Sequence, residues 1–145
     1  MNGGMEEANI RSFRDLRVYQ HGQEIAGMIF TITKGWPAEE KYSLTDQIRR
    51  SSRAIGANIA EAWAKRRYPA HFVSKLSDAD AEATESRAWL DAALRSRYLS
   101  EDKYSELDAS LASISGGLIK MMAAPDKWCG PSQLVREEGV SYVTA

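Results

Sequence analysis

The segment that decides the fold is SLTDQIRRSSRAIGANIAEAWAKRR, residues 43–67. Its large aliphatic side chains recur at helical spacing: Leu44, Ile48, Ile55 and Ile59. This spacing places them on one stripe of an α-helix, because a helix turns by about 100° per residue. Tyr68-Pro69 then ends the segment, since the residue before a proline avoids the helical region. The pattern predicts a helix from about Ser43 to Arg67 that buries one face.

Three further segments show the same periodicity and are separated by helix breakers. The first runs from about Leu16 to Lys34, with Asp15 as its N-cap, and ends at Gly35-Trp36-Pro37. The third runs from about Ala70 to Arg97, and Ser100 caps the fourth. Four long amphipathic helices with short connections predict an all-α protein, an antiparallel up-and-down four-helix bundle.

A length of 145 residues predicts one domain. We expect an N-terminal arm over residues 1–12, the bundle over residues 13–124, and a C-terminal extension over residues 125–145 that is flexible or docked. Cys129 is the single cysteine, and the N-terminal residues carry no apolar signal segment, which together favour the cytoplasm. Because no apolar run approaches the ~20 residues of a membrane span, we expect no membrane partner.

Catalytic residues do not occur at the spacing of a known site. A di-iron bundle needs Glu-x-x-His on two helices, and neither His21 nor His71 has a glutamate three residues before it. Phosphate-binding glycine loops, nucleophile elbows and zinc spacings are absent, and no motif surrounds Cys129. We therefore expect that the protein is not an enzyme and that it binds no metal and no cofactor. One alternative remains. The third helix has an acidic face formed by Asp78, Glu82 and Glu85, which is either a solvated surface or a Mg²⁺ site.

The net charge of -1 hides an uneven distribution of charge. Residues 47–75 contain seven cations and one acid, a net charge of +6, whereas residues 76–126 contain five cations and ten acids, a net charge of -5. Six of the cations are candidates for contact with a partner: Arg49, Arg50, Arg53, Lys65, Arg66 and Arg67. Two interpretations compete. The cations form a solvated face partly paired with the acidic third helix, or an anion-binding stripe for phosphates.

Small residues flank the apolar stripe of the second helix, together with one aromatic residue: Ser52, Gly56, Ala60 and Trp63. Such a surface suits the close approach of another helix, from the same subunit or from a neighbour. We take the last three residues as a candidate oligomer interface. At the edge of the core, we expect Asn58 to bond a neighbouring helix or subunit, and Glu61 to pair with Lys65 at i, i+4.

Several segments, taken in order, resemble one bacterial protein family. They are FRDLRVYQ at residues 13–20, WP at 36–37, YSLTDQIRR at 42–50, NIAE at 58–61 and YLS at 98–100. The family consists of four-helix bundle proteins encoded in intervening sequences of large-subunit (23S) ribosomal RNA genes. It includes the accessory variability proteins of diversity-generating retroelements. The resemblance covers roughly Arg11 to Ala123.

The resemblance implies a homopentamer, five bundles arranged as a barrel with a basic surface or channel. It also implies RNA or DNA as a partner and, in the retroelement branch, a reverse transcriptase. The matched basic positions are Arg49 and Arg50, with Arg66 and Arg67 following the NIAE motif. We therefore expect a non-enzymatic oligomer that binds nucleic acid electrostatically and with little sequence specificity. The alternative is an oligomeric protein-interaction scaffold that does not bind nucleic acid directly.

Overall fold

The structure, a computed structural model, describes residues 9–130. Five α-helices follow one another along this part of the chain: α1 (Arg17–Thr33), α2 (Leu44–Ala64), α3 (Pro69–Arg95), α4 (Glu101–Ala123) and the short α5 (Pro125–Cys129). Single 3₁₀ turns at Phe13–Asp15 and Ala38–Glu40 precede α1 and α2. No strand occurs between residues 9 and 130, so the predicted all-α class and its four long helices are confirmed.

Side-chain pairs between α2 and α3 show that these two helices run antiparallel. Glu61, late in α2, pairs with Lys75, early in α3, whereas Arg50, early in α2, pairs with Glu85, later in α3. The predicted apolar stripes meet inside the bundle. Among the fully buried side chains are Ile48, Ile55, Ile59, Phe72, Leu76, Leu90, Leu107, Leu111 and Ile114. Burial of these stripes provides the main driving force for the fold.

The N-cap residue predicted from the sequence is confirmed for α4 but not for α1. Ser100 caps α4 as predicted, because its hydroxyl accepts a hydrogen bond from the backbone N–H of Lys103 at 3.1 Å. The predicted cap of α1 is wrong. Asp15 belongs to the preceding 3₁₀ turn, where its carboxylate accepts backbone N–H bonds from Arg11 at 2.8 Å and Ser12 at 3.2 Å. These bonds lower the pKa of Asp15, the bond from Arg11 most strongly.

The end of α2 lies earlier than the sequence pattern predicts. The helix ends at Ala64, and residues 65–68 form a turn rather than a last helical turn through Arg67. The reason is the chain reversal into α3, which begins with Pro69 at its first position. Tyr68 is extended there, as expected of a residue before proline. The last three candidate cations of α2 therefore lie in the α2–α3 turn.

Residues 125–129 of the predicted extension dock on the bundle as α5, which contacts α3 and α4. Cys129 is buried there and Trp128 packs against the core. Residues 131–145 of the extension, and residues 1–8 of the predicted arm, lie outside the described residues.

Candidate nucleic-acid interface

The six candidate cations form two groups on α2 and after it. Arg49, Arg50 and Arg53 lie in the first half of the helix, whereas Lys65, Arg66 and Arg67 lie in the α2–α3 turn. The helix between Arg53 and Lys65 spans roughly 18 Å at 1.5 Å per residue. The predicted stripe is therefore divided into two basic regions near opposite ends of the helix.

Arg49 is a half-buried link between α2 and the C-terminus of α1. Its Nε donates a hydrogen bond to Thr33 Oγ1 at 2.7 Å, and its Nη2 donates one to the carbonyl oxygen of Phe30 at 3.3 Å. Its guanidinium carbon also lies 4.4 Å from the centre of the Phe30 ring. Because the last carbonyls of a helix lack partners within the helix and carry partial negative charge, a cation is favourable there.

The two neighbouring arginines of α2 are exposed. Arg50 donates a hydrogen bond to Gln47 Oε1 at 2.9 Å and lies 3.5 Å from the carboxylate of Glu85 on α3. This pair is the pairing with the acidic third helix that one of the two sequence interpretations expects. Arg53 lies 5.2 Å from the centre of the Phe30 ring, so Phe30 is flanked by two guanidinium groups.

The α2–α3 turn brings its cations next to aromatic rings. The guanidinium carbon of Arg66 lies 4.0 Å from the centre of the Trp63 ring, and its Nη1 donates to the Trp63 carbonyl oxygen at 2.8 Å. The guanidinium carbon of Arg67 lies 5.9 Å from the Tyr68 ring centre, and the Tyr68 and His71 ring centres are 5.5 Å apart. These interleaved rings were not part of the sequence prediction, although WAKRRYPAH at residues 63–71 shows the alternation directly.

The small-residue surface of α2 is partly covered within the subunit. Gly56 is buried, and a Cβ atom there would lie 2.8 Å from Gln23 Oε1 and 3.2 Å from Tyr19 Cε1, so α1 makes the close approach at this point. Ala60 and Trp63 are half-buried. The role of Gly56, Ala60 and Trp63 in an oligomer interface stays a prediction.

Two polar residues at the edge of the α2 core bind other partners than those expected. Asn58 donates its side-chain amide to the Ala54 carbonyl oxygen at 2.9 Å, within α2 rather than across to another helix. Glu61 binds Lys75 Nζ at 2.6 Å instead of pairing with Lys65, because antiparallel α3 brings the lysine alongside. This hydrogen bond lowers the pKa of Glu61 and raises the pKa of Lys75.

The acidic face of α3 is divided among different partners. Asp78 lies 3.3 Å from Lys75, and Glu85 accepts a hydrogen bond from the Trp89 indole at 3.1 Å. Glu82 has one buried carboxylate oxygen without a hydrogen-bond partner, and burial raises its pKa, with a smaller contribution from the charge of Glu85. Over residues 9–130, no group of three or more His, Cys, Asp or Glu side chains is placed to hold a metal ion.

The candidate cations do not line the open cleft of about 690 Å³ between α1, α4 and α5, whose walls include Arg17, Lys120 and Lys127.

None of the helices in the described part of the chain combines the length and the apolar character required to cross a bilayer.

Comparison with known proteins identifies the family. The family model of the 23S rRNA-intervening sequence protein matches residues 14–120, from the turn before α1 almost to the end of α4. The chain belongs to the 23S rRNA-intervening sequence protein family. The family resemblance noted in the sequence is therefore confirmed. Both basic regions, the one on α2 and the one in the α2–α3 turn, lie inside the matched range.

A solved structure supports the same assignment. The chain resembles a protein of unknown function from the S23 ribosomal protein family of Bacteroides thetaiotaomicron VPI-5482, known from a crystal structure at 1.70 Å resolution. The two are 32% identical with a TM-score of 0.67, over 73% of this chain and 95% of that chain. No curated protein matches the sequence. The family description names ribosomal RNA and no catalytic activity.

Proposed function

We propose that this member of the 23S rRNA-intervening sequence protein family is a non-enzymatic, oligomeric protein that binds nucleic acid through α2 and the α2–α3 turn. The observation that carries the proposal is the net charge of +6 over residues 47–75, in a chain whose total is -1. Nucleic-acid affinity depends mainly on cations that neutralise phosphates and release counterions. Membership in a family named for ribosomal RNA supports RNA as the partner, which would place the protein in the cytoplasm.

The side-chain environments rank the six cations as phosphate ligands. Arg53, Lys65 and Arg67 are exposed and lead the set. Arg50 and Arg66 contribute to phosphate binding as well, although Arg50 also pairs with Glu85 and Arg66 also binds the Trp63 carbonyl oxygen. Arg49 is engaged with the end of α1, so its first role is to hold α2 in place.

We also propose that the protein assembles into a homopentamer, as the family resemblance implies. Assembly would present several copies of the basic surface to one nucleic acid, which increases avidity without a new contact in each subunit. Light scattering of the purified protein should report a mass several times the chain mass of 16.2 kDa. A monomer at micromolar concentration would contradict both the pentamer and a central channel.

A second candidate function is an oligomeric interaction scaffold without direct nucleic-acid binding. The observation that favours it is the engagement of Arg49, Arg50 and Arg66 in contacts within the subunit. In this case the partner is a protein, which for the retroelement branch is a reverse transcriptase. The two candidates differ in whether the purified protein binds an oligonucleotide by itself.

Fluorescence anisotropy with a random-sequence oligonucleotide at two salt concentrations tests the main proposal. We expect affinity to fall steeply with salt, with a slope of roughly 0.7 to 0.9 in log K against log salt for each phosphate contact. The double variant Arg53→Ala/Arg67→Ala should weaken binding to all sequences and reduce that slope, because both side chains are exposed. The charge-matched control is Lys41→Ala/Arg95→Ala, which removes two exposed cations outside the basic regions and should leave binding nearly unchanged.

Two outcomes would overturn this proposal. If the parent protein does not bind at low salt, the nucleic-acid function is wrong and the scaffold is favoured. If Arg53→Ala/Arg67→Ala dissociates into monomers while the control stays assembled, the arginines belong to the subunit interface.

A further inference from the structure

The α2–α3 turn combines cations with aromatic faces in nine consecutive residues. We name this group the turn cluster and define it as Trp63, Lys65, Arg66, Arg67, Tyr68 and His71. Lys65, Arg67 and His71 are exposed, and the other three side chains are half-buried. We propose that the turn cluster is a stacking platform for unpaired nucleobases, so that the protein prefers single-stranded RNA to duplex. This inference rests on the proposed function and specifies the form of nucleic acid that it binds.

The first half of the platform is the Trp63–Arg66 pair. The Arg66 guanidinium lies 4.0 Å from the Trp63 ring centre, and its hydrogen bond to the Trp63 carbonyl oxygen at 2.8 Å fixes it there. A guanidinium is planar, and this one lies over the Trp63 ring. Nucleobases stack on guanidinium planes as well as on aromatic rings, so the pair offers a preformed layer.

The second half of the platform is built around Tyr68. Its ring is flanked by Arg67 at 5.9 Å and by His71 at 5.5 Å, with an angle of 56° between the Tyr68 and His71 rings. Trp63 packs against the hydrophobic core, and the half-buried Tyr68 ring lies in the turn, close to the exposed side chains of Arg67 and His71.

The flat faces of this cluster select the single-stranded form. Bases in a duplex are paired and stacked, and they present only their edges in the grooves. A base can cover an aromatic ring only after it leaves the stack, as in loops, bulges and single strands. The exposed charges of Lys65 and Arg67 on either side of Arg66 can bind the phosphates that flank such a base.

The other aromatic–arginine group of α2 does not offer such a platform. The Phe30 ring has Lys34, Arg49 and Arg53 around it, at 4.4 to 5.2 Å. Arg49 is hydrogen-bonded to the end of α1, so this group is a helix–helix contact. Of these two groups, we therefore assign the stacking preference to the turn cluster.

The test compares single-stranded RNA of mixed sequence with a duplex of the same length, using anisotropy on the full chain. Tyr68→Ala should weaken single-strand binding by roughly 5- to 150-fold, the usual effect of removing a ring that stacks on one base. Its duplex affinity and salt slope should stay near those of the parent, because the charge is unchanged. Tyr68→Phe should retain single-strand affinity, since the phenyl ring keeps the stacking face.

The chain provides a matched control in Tyr42. This residue is 86% exposed and has Lys41 Nζ 5.3 Å from its ring centre, but it lies in the α1–α2 connection, away from the turn cluster. Tyr42→Ala should leave binding to both forms of RNA unchanged. As a second readout, single-stranded RNA should quench tryptophan fluorescence in the parent. Trp63→Leu should lose most of that quenching while circular dichroism shows an intact helical fold and light scattering shows the mass of the parent assembly.

The possible results separate the two proposals. If the parent binds both forms equally and Tyr68→Ala weakens neither or both alike, the turn cluster acts only through its charge and the stacking platform is wrong. A parent protein that binds neither form at low salt would instead overturn the proposed function and this inference together. Loss of binding in Tyr42→Ala equal to that in Tyr68→Ala would also contradict the assignment to the turn.

Discussion

The two ends of α2 carry the same pair of groups, an arginine over an aromatic ring, and use it differently. At the start of the helix Arg49 lies 4.4 Å from the ring centre of Phe30, which belongs to α1. At the end Arg66 lies 4.0 Å from the ring centre of Trp63, three residues earlier in the same chain segment. The first pair is a contact between two helices, whereas the second lies within one segment, at the turn that follows α2. The comparison shows that ring–cation geometry alone does not indicate the role of an arginine.

The difference lies in what surrounds each pair. Arg49 also donates to Thr33 Oγ1 and to the Phe30 carbonyl oxygen, and Thr33 is only 3% exposed. Removing Arg49 therefore disturbs a buried polar site at the end of α1. Arg66 lies in the α2–α3 turn between the exposed Lys65 and Arg67, so removal of these cations mainly changes the charge and shape of the surface. We expect stability to depend on the Arg49 pair, whereas the Arg66 pair and the exposed cations serve nucleic-acid binding.

The largest expected effect is the loss of stability in Arg49→Ala. The variant loses two charge-assisted hydrogen bonds, a favourable cation at a helix C-terminus and a ring contact, so its free energy of unfolding should fall by about 2 kcal/mol. Urea denaturation followed by circular dichroism, at one fixed protein concentration, measures this. Arg67→Ala is the control, with an expected change within about 0.5 kcal/mol.

A double-mutant cycle sharpens this expectation. Thr33→Val removes the hydroxyl that accepts from Arg49, so the two substitutions should be non-additive by roughly 1 kcal/mol. Additive effects, or equal stability losses in Arg49→Ala and Arg67→Ala, would contradict the expectation that Arg49 stabilises the fold whereas the α2–α3 turn serves binding.

Arg53→Ala should have an intermediate effect, because Arg53 is exposed and yet lies over the Phe30 ring. Loss of an exposed cation–π contact should lower the free energy of unfolding by about 0.5 to 1 kcal/mol. Arg53→Lys should recover part of this loss. If the same denaturation measurements show Arg53→Ala to be as unstable as Arg49→Ala, then Arg53, like Arg49, mainly stabilises the contact between α1 and α2.

The smallest expected effect concerns Glu82 on α3, whose carboxylate is influenced by the charge of Arg50 on α2. Burial raises the pKa of Glu82 in the folded state, and the charge of Arg50 only partly opposes this. The stabilising contribution of the protonated form is therefore fully present below the unfolded pKa, about 4.3, and is lost as the pH rises through the higher folded value.

Glu82→Gln should consequently be slightly more stable than the parent at pH 7, within about 0.5 kcal/mol, and should lose this advantage near pH 4. Thermal unfolding at the two pH values measures the difference, and Glu106→Gln on the exposed side of α4 serves as the control. A stability gain that does not change with pH would contradict a role for the ionisation of Glu82.

The sequence by itself determined the helices and the face that each one buries. Apolar residues at helical spacing and prolines between segments are local signals, and they place α1 to α4 within a few residues of their observed limits. The family resemblance was also visible in short ordered segments. Conversely, the missed cap at Asp15 and the early end of α2 show where a local pattern allows more than one geometry.

Only the tertiary structure decided which charged residues are already bound. Arg49 and Glu61 look like exposed residues on a helical wheel, yet one binds Thr33 on α1 and the other binds Lys75 on α3. These partners lie 14 to 16 residues away along the chain, and antiparallel packing brings them together. A wheel contains no information about neighbouring helices, because register and rotation are set by how the buried faces interlock.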